Sequence, residues 1–314
     1  MLFSTDKGMS RQRIVVLSGP TASGKTDLAM ELAESFSMEI VNADSMQVYR
    51  RFDIGTAKPS PEERRKIPHH LIDVAEPDEP YNAGRYVEEA SAVIADIASR
   101  GKTPLVVGGT GMYLRALLRG LDPAPSDPAV RAALNQRWEE DGAFALHAEL
   151  SRIDPETASK VHFADRHRVV RALEIAAVSG IPAYRKRCAW SSAVKRYESC
   201  FLVLWPDREE LYRRIDVRAE KMFHAGLVNE VLELLESGFG RELKPMQSLG
   251  YRQAVAHILD GLPLVEAIEL TKRDTRRYAK RQLTWLSAET EIARLADEDA
   301  KVKAARLLNM FLSR

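Results

Sequence analysis

The chain has 314 residues, two cysteines and a formal net charge of +1, and 45% of its residues are hydrophobic. That length predicts about two domains with a sizeable core. The near-neutral balance does not mark a bulk polycation, and no apolar stretch approaches the ~20 residues that cross a bilayer. The opening residues Met1–Ser10 lack the apolar segment of a signal peptide, so the expected location is the cytoplasm, with no membrane partner. Cys188 and Cys200 have no metal-ligand spacing and read as free thiols.

Along the chain, Ile14–Ser18 is an apolar run that predicts a buried strand. Gly19, Pro20, Thr21, Ala22, Ser23, Gly24, Lys25 and Thr26 follow it in the pattern of a P-loop. Asp27–Phe36 comes next, with Leu28, Leu32 and Phe36 at helical spacing. Strand, glycine-rich turn and helix together predict a polyphosphate grip. The glycines let backbone N–H groups converge on phosphate oxygens, and the helix N-terminus adds partial positive charge. Lys25 supplies a full charge, and the Thr26 hydroxyl suits a Mg²⁺ ion, the expected cofactor.

Glu39–Asp44 is a second apolar run, ending in a carboxylate. A polar, proline-containing stretch extends to about Pro68. Tyr86–Arg100 has helical spacing, Leu105–Gly109 reads as a buried strand, and Met112–Leu118 as a helix entered through Thr110 and Gly111. Alternating strands and helices predict a parallel sheet covered on both faces, with the ligand beyond the carboxyl ends of the strands. Three prolines in Leu121–Pro128 mark a boundary. Helices are expected over 129–140, 143–151 and 166–178, a strand over Cys200–Trp205, and helices over 208–239 (interrupted at Gly226), 264–287 and 297–313.

The predicted fold is therefore α/β: a P-loop NTPase-like parallel sheet flanked by helices, with an all-helical insertion domain. The core domain takes residues 1–121 and 199–314, and the insertion takes 122–198.

Charge is distributed unevenly along this plan. Lys160–Arg187 holds seven Lys/Arg against Asp165 and Glu174, and Thr271–Arg281 holds six against Asp274. Such clusters can follow a phosphate backbone, or can be solvated helix faces. Asp44 reads as a metal ligand or a general base, or else as a turn or helix-cap residue. Trp138, Trp190, Trp205 and Trp285 read as packing residues, and His69 and His70 as structural or substrate-positioning groups.

Several longer motifs narrow the reading: Asn42–Tyr49, Asp53–Pro59, His69–Asp73, Tyr81–Tyr86, Gly108–Leu114, Arg168–Glu174, Leu249–Gln253 and Thr275–Leu286. With the P-loop they resemble the tRNA dimethylallyltransferases in order and over nearly the whole chain, in the bacterial form that lacks a C-terminal zinc finger. The resemblance implies transfer of a dimethylallyl group from dimethylallyl diphosphate to N6 of the adenosine just 3′ of the anticodon. It makes Asp44 the acceptor of the amine proton, a role that suits a carboxylate ionised at neutral pH. It places the diphosphate on Gly19–Thr26 and on Arg218, which lies in Arg214–Met222, and gives Thr21 a catalytic hydroxyl. It assigns tRNA contact to Asp44, Ser45, Met46, Gln47, Thr110, Arg131, His167, Arg168, Val169, Val170, Arg171, Gln247, Ser248, Leu249, Gly250, Tyr251 and Arg252. Tyr251 could stack on an unpaired base. The partners expected are the anticodon stem-loop of tRNA and the prenyl diphosphate, with the protein a monomer.

Rival readings leave residues unexplained. A small-molecule kinase gives no reason for the insertion or the basic clusters. An adenylate isopentenyltransferase has no use for a large insertion. A non-catalytic nucleic-acid module leaves Lys25, Thr26 and Asp44 without a task.

Overall fold

The computed structural model describes residues 11–121, 124–183, 195–296 and 299–313. They form two compact units, one of residues 1–118 with 196–314 and one of residues 119–195.

The first unit is built on strands β1 (Arg13–Ser18), β2 (Met38–Asn42), β3 (His69–His70), β4 (Thr103–Val107), β5 (Glu198–Leu204) and β6 (Ala293–Leu295). All pair in parallel, in the order β3-β2-β4-β1-β5-β6. β1 is central and alternates between the faces, as side chains on a strand must. Ile14 and Val16 join one core, and Val15 and Leu17 join the other. Helices α1 (Lys25–Ser35) and α12 (Ala300–Leu312) cover the second face through Leu28, Leu32, Ala304 and Leu308. Helices α3 (Ala83–Ser99) and α4 (Gly111–Arg119) cover the first through Tyr86, Ile94, Ile97, Leu114 and Leu117. The edge strands are the shortest, which limits the length of unpaired sheet edge.

This order has a consequence for the site. The helix after β1 packs on one face and the helix after the adjacent β4 packs on the other. Their loops therefore part and leave a crevice at the carboxyl ends of β1 and β4, where open α/β sheets take their ligands.

Sequence periodicity missed four elements of this unit. Helix α2 (Pro61–Lys66) lies in the polar stretch and is held by a capping box between Ser60 and Glu63, with Pro61 in its first turn. Strands β3 and β6 are too short to show a period. The fourth is α10 (Tyr251–Asp260), which lies between a helical pair and a single long helix. Those are α8 (Arg208–His224) with α9 (Leu227–Glu236), separated at Gly226 as expected, and α11, which spans Leu264–Ser287. Among the described residues no helix is long and apolar enough to cross a membrane.

The second unit is helical: α5 (Pro128–Ile153), broken at Gly142 where φ is 83°, α6 (Pro155–Ala158) and α7 (Arg166–Ser179). Asp127, Asp154 and Asp165 cap their N-termini. Leu134, Leu146, Leu150, Val161, Val169, Val170 and Leu173 form its core. The unit begins and ends about three residues earlier than the expected 122–198. The reason is that the Arg196 N–H bonds the Leu118 carbonyl at 3.0 Å and Glu198 already pairs with Arg13 of β1. Cys188 and Trp190 lie outside the described residues. Trp138 packs on this core as expected, and Trp205 and Trp285 pack on that of the first unit.

Glu174 is fully buried in the helical unit. Its carboxylate accepts from Arg131 Nε at 3.1 Å, Arg171 Nη1 at 2.7 Å and the Asp127 N–H at 3.0 Å. Burial pushes its pKa up, but these donors outweigh burial and hold it below the usual value. Two expected tRNA contacts, Arg131 and Arg171, are thus engaged with a buried carboxylate. Val169 and Val170 have their side chains in the core, so side-chain contact with tRNA is withdrawn for both. Arg168 is different: its side chain is 67% exposed and lies 3.4 Å from Asp165. Arg171→Ala should therefore destabilise this unit by about 1–3 kcal/mol, because Glu174 loses a charged donor in the interior. Arg168→Ala should stay within about 0.5 kcal/mol. Denaturant unfolding of the two single variants checks this; equal losses would contradict it.

Candidate active site

The P-loop leaves its ligand groups free by virtue of backbone shape. Gly24 sits in the left-handed region at φ 86° and opens α1 without any side-chain cap. The first N–H groups of α1 are therefore not consumed by a cap, which makes the turn an anion site. Ala22 is also left-handed, at φ 62°, and helps curl the loop into a nest. Gly19 cannot be replaced without strain: a Cβ there would lie 2.9 Å from the Leu204 carbonyl oxygen.

Lys25 reaches back across the loop. Its Nζ donates to the carbonyls of Gly19 at 3.0 Å and Pro20 at 2.7 Å. Burial, then repulsion from Arg218, lowers its pKa to about 7, with Asp44 acting in the opposite direction. Burial likewise lowers the pKa of Arg218, opposed by Asp44 and Asp27. Among the described residues Arg218 makes no salt bridge. Both cations line one cavity of about 640 Å³ with Thr21, Thr26, Asp44 and Lys58.

Asp44 stands two residues beyond β2. Asn42 shapes its turn: the Asn42 side chain accepts from the Asp44 N–H at 3.0 Å and donates to the Leu71 carbonyl at 3.0 Å. One Asp44 carboxylate oxygen accepts from the Met46 N–H at 2.8 Å. The Thr110 hydroxyl accepts from the Ser45 N–H at 3.0 Å, and the Thr110 N–H bonds the Ala43 carbonyl at 3.2 Å. Thr110 therefore acts here as a brace for the Asp44 loop. Gly108 must lack a side chain because a Cβ would lie 2.3 Å from the Ala43 backbone.

A second cavity of about 280 Å³ shares Thr21, Asp44, Thr56, Arg218 and Tyr278 with the first. Its other walls are largely apolar, from Met46, Ile215, Ala219, Met222 and Leu249. A polar, cationic chamber thus meets an apolar chamber at Asp44 and Tyr278. Burial raises the pKa of the Tyr278 phenol, so it stays protonated.

The expected residues divide clearly. Gly19 contributes backbone shape; Thr21–Thr26, Asp44, Gln47 and Arg218 line the polar chamber. Met46, Gln247, Ser248, Leu249 and Arg252 line the apolar one. His167 and Arg168 are exposed on the helical unit. Tyr251 is a correction. Its ring is fully buried against Phe52, at 4.6 Å between centroids, and cannot stack on a base. Its hydroxyl donates to Glu230 at 2.5 Å and accepts from the Gly55 N–H at 3.2 Å. Glu230 also accepts from the Ile54 N–H at 2.8 Å, so the pair fixes the 53–57 loop. Gly250 is likewise buried, at the start of α10.

Three residues with positions in the site had no role in the sequence reading. Gln282 is buried between the P-loop and the turn after β4. Glu230 anchors the loop just described. Lys58 is buried with its ammonium on Asp53 at 2.5 Å, Asp73 at 2.6 Å and the Tyr49 carbonyl at 2.8 Å. A lone polar side chain that turns inward has no periodic signature. The basic helix α11 is also less free than its charge suggests. Lys272 pairs with Glu220 and Glu269, Arg276 with Asp216, and Arg273 and Arg252 with Asp274. The two histidines are structural: His69 bonds the Ile67 carbonyl, and His70 bonds the buried Glu39.

Fold and cradle together define a P-loop α/β protein whose anion site opens onto an apolar chamber. A family profile described as IPP transferase matches residues 47–289, and one described as isopentenyl transferase matches residues 12–75. The chain is 50% identical over 283 residues to tRNA dimethylallyltransferase 1 of Citrifermentans bemidjiense, covering 89% of this chain and 90% of that one. It is 46% identical over 284 residues to the tRNA dimethylallyltransferase of Geobacter sulfurreducens, covering 90% and 91%. The solved tRNA isopentenylpyrophosphate transferase of Bacillus halodurans superposes with a TM-score of 0.70 at 35% identity, over 96% of this chain and 99% of that one. A eukaryotic dimethylallyltransferase acting on tRNA superposes with a TM-score of 0.81 at 30% identity, over 96% and 80%. The chain belongs to the IPP transferase family. It is a tRNA-modifying prenyltransferase.

The Lys25 ammonium gives this site a pH signature. An anion in the cradle favours the charged lysine and so raises its pKa above the value of about 7 in the free protein. Binding of an alkyl diphosphate at pH 8 should then take up close to one proton, and affinity should weaken by up to about tenfold per pH unit above 7. Calorimetry in two buffers of different ionisation enthalpy measures the uptake. Lys25→Ala should abolish it, and an unchanged proton count in that variant would contradict the assignment.

Proposed function

We propose that this enzyme transfers a dimethylallyl group from dimethylallyl diphosphate to N6 of the adenosine 3′-adjacent to the anticodon of tRNA, releasing diphosphate. The observation that carries this reading is the junction of the two chambers. A phosphate cradle with Lys25 and Arg218 meets an apolar cavity at a carboxylate, Asp44. An apolar chamber beside the cradle suits a prenyl chain attached to the diphosphate.

The exocyclic amine of adenine is a weak nucleophile, because its lone pair is delocalised into the ring. Asp44 accepts a proton from N6 as the C–N bond forms. The C–O bond to the diphosphate breaks, and negative charge grows on the leaving oxygens. Lys25, Arg218 and the N–H groups at the start of α1 stabilise that charge where it develops. Thr21 lines both chambers, where its hydroxyl can reach the bridging region. The target base must leave the stacked anticodon loop to enter the cavity. Gln247, Ser248, Leu249 and Arg252 form the wall it would pass. The tRNA substrate is in keeping with a cytoplasmic location.

A Mg²⁺ ion fits this donor set. Among the described residues no group of three or more His, Cys, Asp or Glu could cage a metal. Magnesium at a phosphate site needs few protein oxygens, the rest being phosphate and water. Thr26 would hold it, and the ion would share the charge of the diphosphate.

Incubation with unmodified tRNA and dimethylallyl diphosphate, followed by digestion to nucleosides and mass analysis, should reveal N6-isopentenyladenosine. Asp44→Ala should slow that transfer by about 10²–10⁴-fold while tRNA affinity stays within a few-fold. Product at the wild-type rate in the variant would remove Asp44 from the mechanism.

A further inference from the structure

One face of α11 runs the length of the site. Thr271, Thr275, Tyr278 and Gln282 follow at helical spacing. The first two line the apolar chamber, Tyr278 lines both chambers, and Gln282 reaches the P-loop. Gln282 is 7% exposed. Its Oε1 accepts from the Thr21 N–H at 2.8 Å, and its Nε2 donates to the Gly109 carbonyl at 2.9 Å. Gly109 is shaped for it: a Cβ there would lie 2.3 Å from Gln282 Nε2. The next residue along, Thr110, holds the Asp44 loop through the Ser45 N–H. An unbroken path thus joins the P-loop to the carboxylate: Thr21 N–H, the Gln282 carboxamide, Gly109–Thr110, then Ser45 beside Asp44.

We propose that Gln282 is a positioning residue that sets the separation between the diphosphate cradle and the Asp44 base. The proposal rests on the transfer reaction described above. Gln282 sits where the loops after β1 and β4 part, beyond the Gly108 N–H to Leu17 carbonyl bond of 3.2 Å that ties the turn after β4 to β1. A carboxamide suits this place because it offers one acceptor and one donor in a fixed plane. In-line transfer needs the leaving oxygen, the prenyl carbon and the amine nitrogen aligned. A misplacement of about 1 Å can cost about 10²-fold in rate. Gln282 lines the polar chamber, but its carboxamide is engaged by the Thr21 N–H and the Gly109 carbonyl, so it works through them.

The test compares folded variants with wild-type enzyme that makes the prenylated nucleoside, so that failure of the reaction itself is recognised separately. Gln282→Leu keeps the approximate size and loses both hydrogen bonds. Its single-turnover rate with both substrates saturating should fall about 10–100-fold. Its dissociation constants for dimethylallyl diphosphate and for tRNA, each measured alone, should stay within about threefold. Gln282→Glu should be slow at pH 8, where a carboxylate faces the Gly109 carbonyl oxygen. It should recover relative to wild type as the pH is lowered toward 5.5. The protonated carboxyl then again accepts from the Thr21 N–H and donates to Gly109. A merely structural glutamine would not give that pH-dependent rescue. A wild-type single-turnover rate in Gln282→Leu overturns the proposal. So does a loss confined to diphosphate affinity. If Gln282→Leu does not fold, a pH-independent ratio of Gln282→Glu to wild type overturns it.

Discussion

The site depends on two buried cations, Lys25 and Arg218, that make no salt bridge among the described residues, in a cavity also lined by Lys58, Arg214, Asp27, Asp44 and Glu63. Burial makes both cations costly, which is why both pKa values are lowered. Lys25 turns to backbone carbonyls for partners, and Arg218 has no ion pair among the described residues. An arrangement of this kind is stabilised by a multiply charged anion. A diphosphate fits, and nothing in the cradle requires a third phosphate. The same excess of positive charge becomes more favourable as the leaving group gathers negative charge, so it acts on the transition state more than on the bound ester.

The scaffold keeps these charges in place by letting backbones and side chains approach unusually closely. Gly108 lies against Ala43, Gly109 against Gln282, Gly111 against Trp285 and Gly55 against Tyr251, each at a distance that excludes a Cβ. The first three draw the turn after β4 toward the Asp44 loop and helix α11. The fourth lets Tyr251 and Glu230 hold the 53–57 loop over the cavity. Lys58 and Arg64 both bind Asp73, which joins that loop to the segment after β3. Burial pushes the Asp73 pKa up, but its two cationic partners outweigh burial and hold it low. The motif residues of this protein are thus divided between a few that face the substrates and many that brace them.

The sheet was legible in the sequence because β1, β4 and β5 are buried on both faces and read as continuous apolar runs. Helix α11 was legible end to end, since Pro263 precedes it and its apolar residues keep the helical period. The P-loop and Asp44 could be found because their chemistry demands particular residues at strand ends. Other parts were not legible, for specific reasons. A local excess of arginines does not reveal which of them pair inward, so nothing in the sequence showed that Arg131 and Arg171 share the buried Glu174. Tyr251 was read as able to stack on a base, but successive residues of a helix point to different faces, and its ring goes into the core while Arg252 stays exposed. Gln282 stands among exposed basic residues, and only the fold reveals that it points to the P-loop.

The central claim is that this P-loop holds a leaving group and hydrolyses nothing. Phosphorus NMR of the enzyme with tRNA, dimethylallyl diphosphate, Mg²⁺ and added ATP tests it most directly. One inorganic diphosphate is expected for each prenylated nucleoside, with the ATP signals unchanged. Formation of ADP or orthophosphate in step with the modified nucleoside would contradict it.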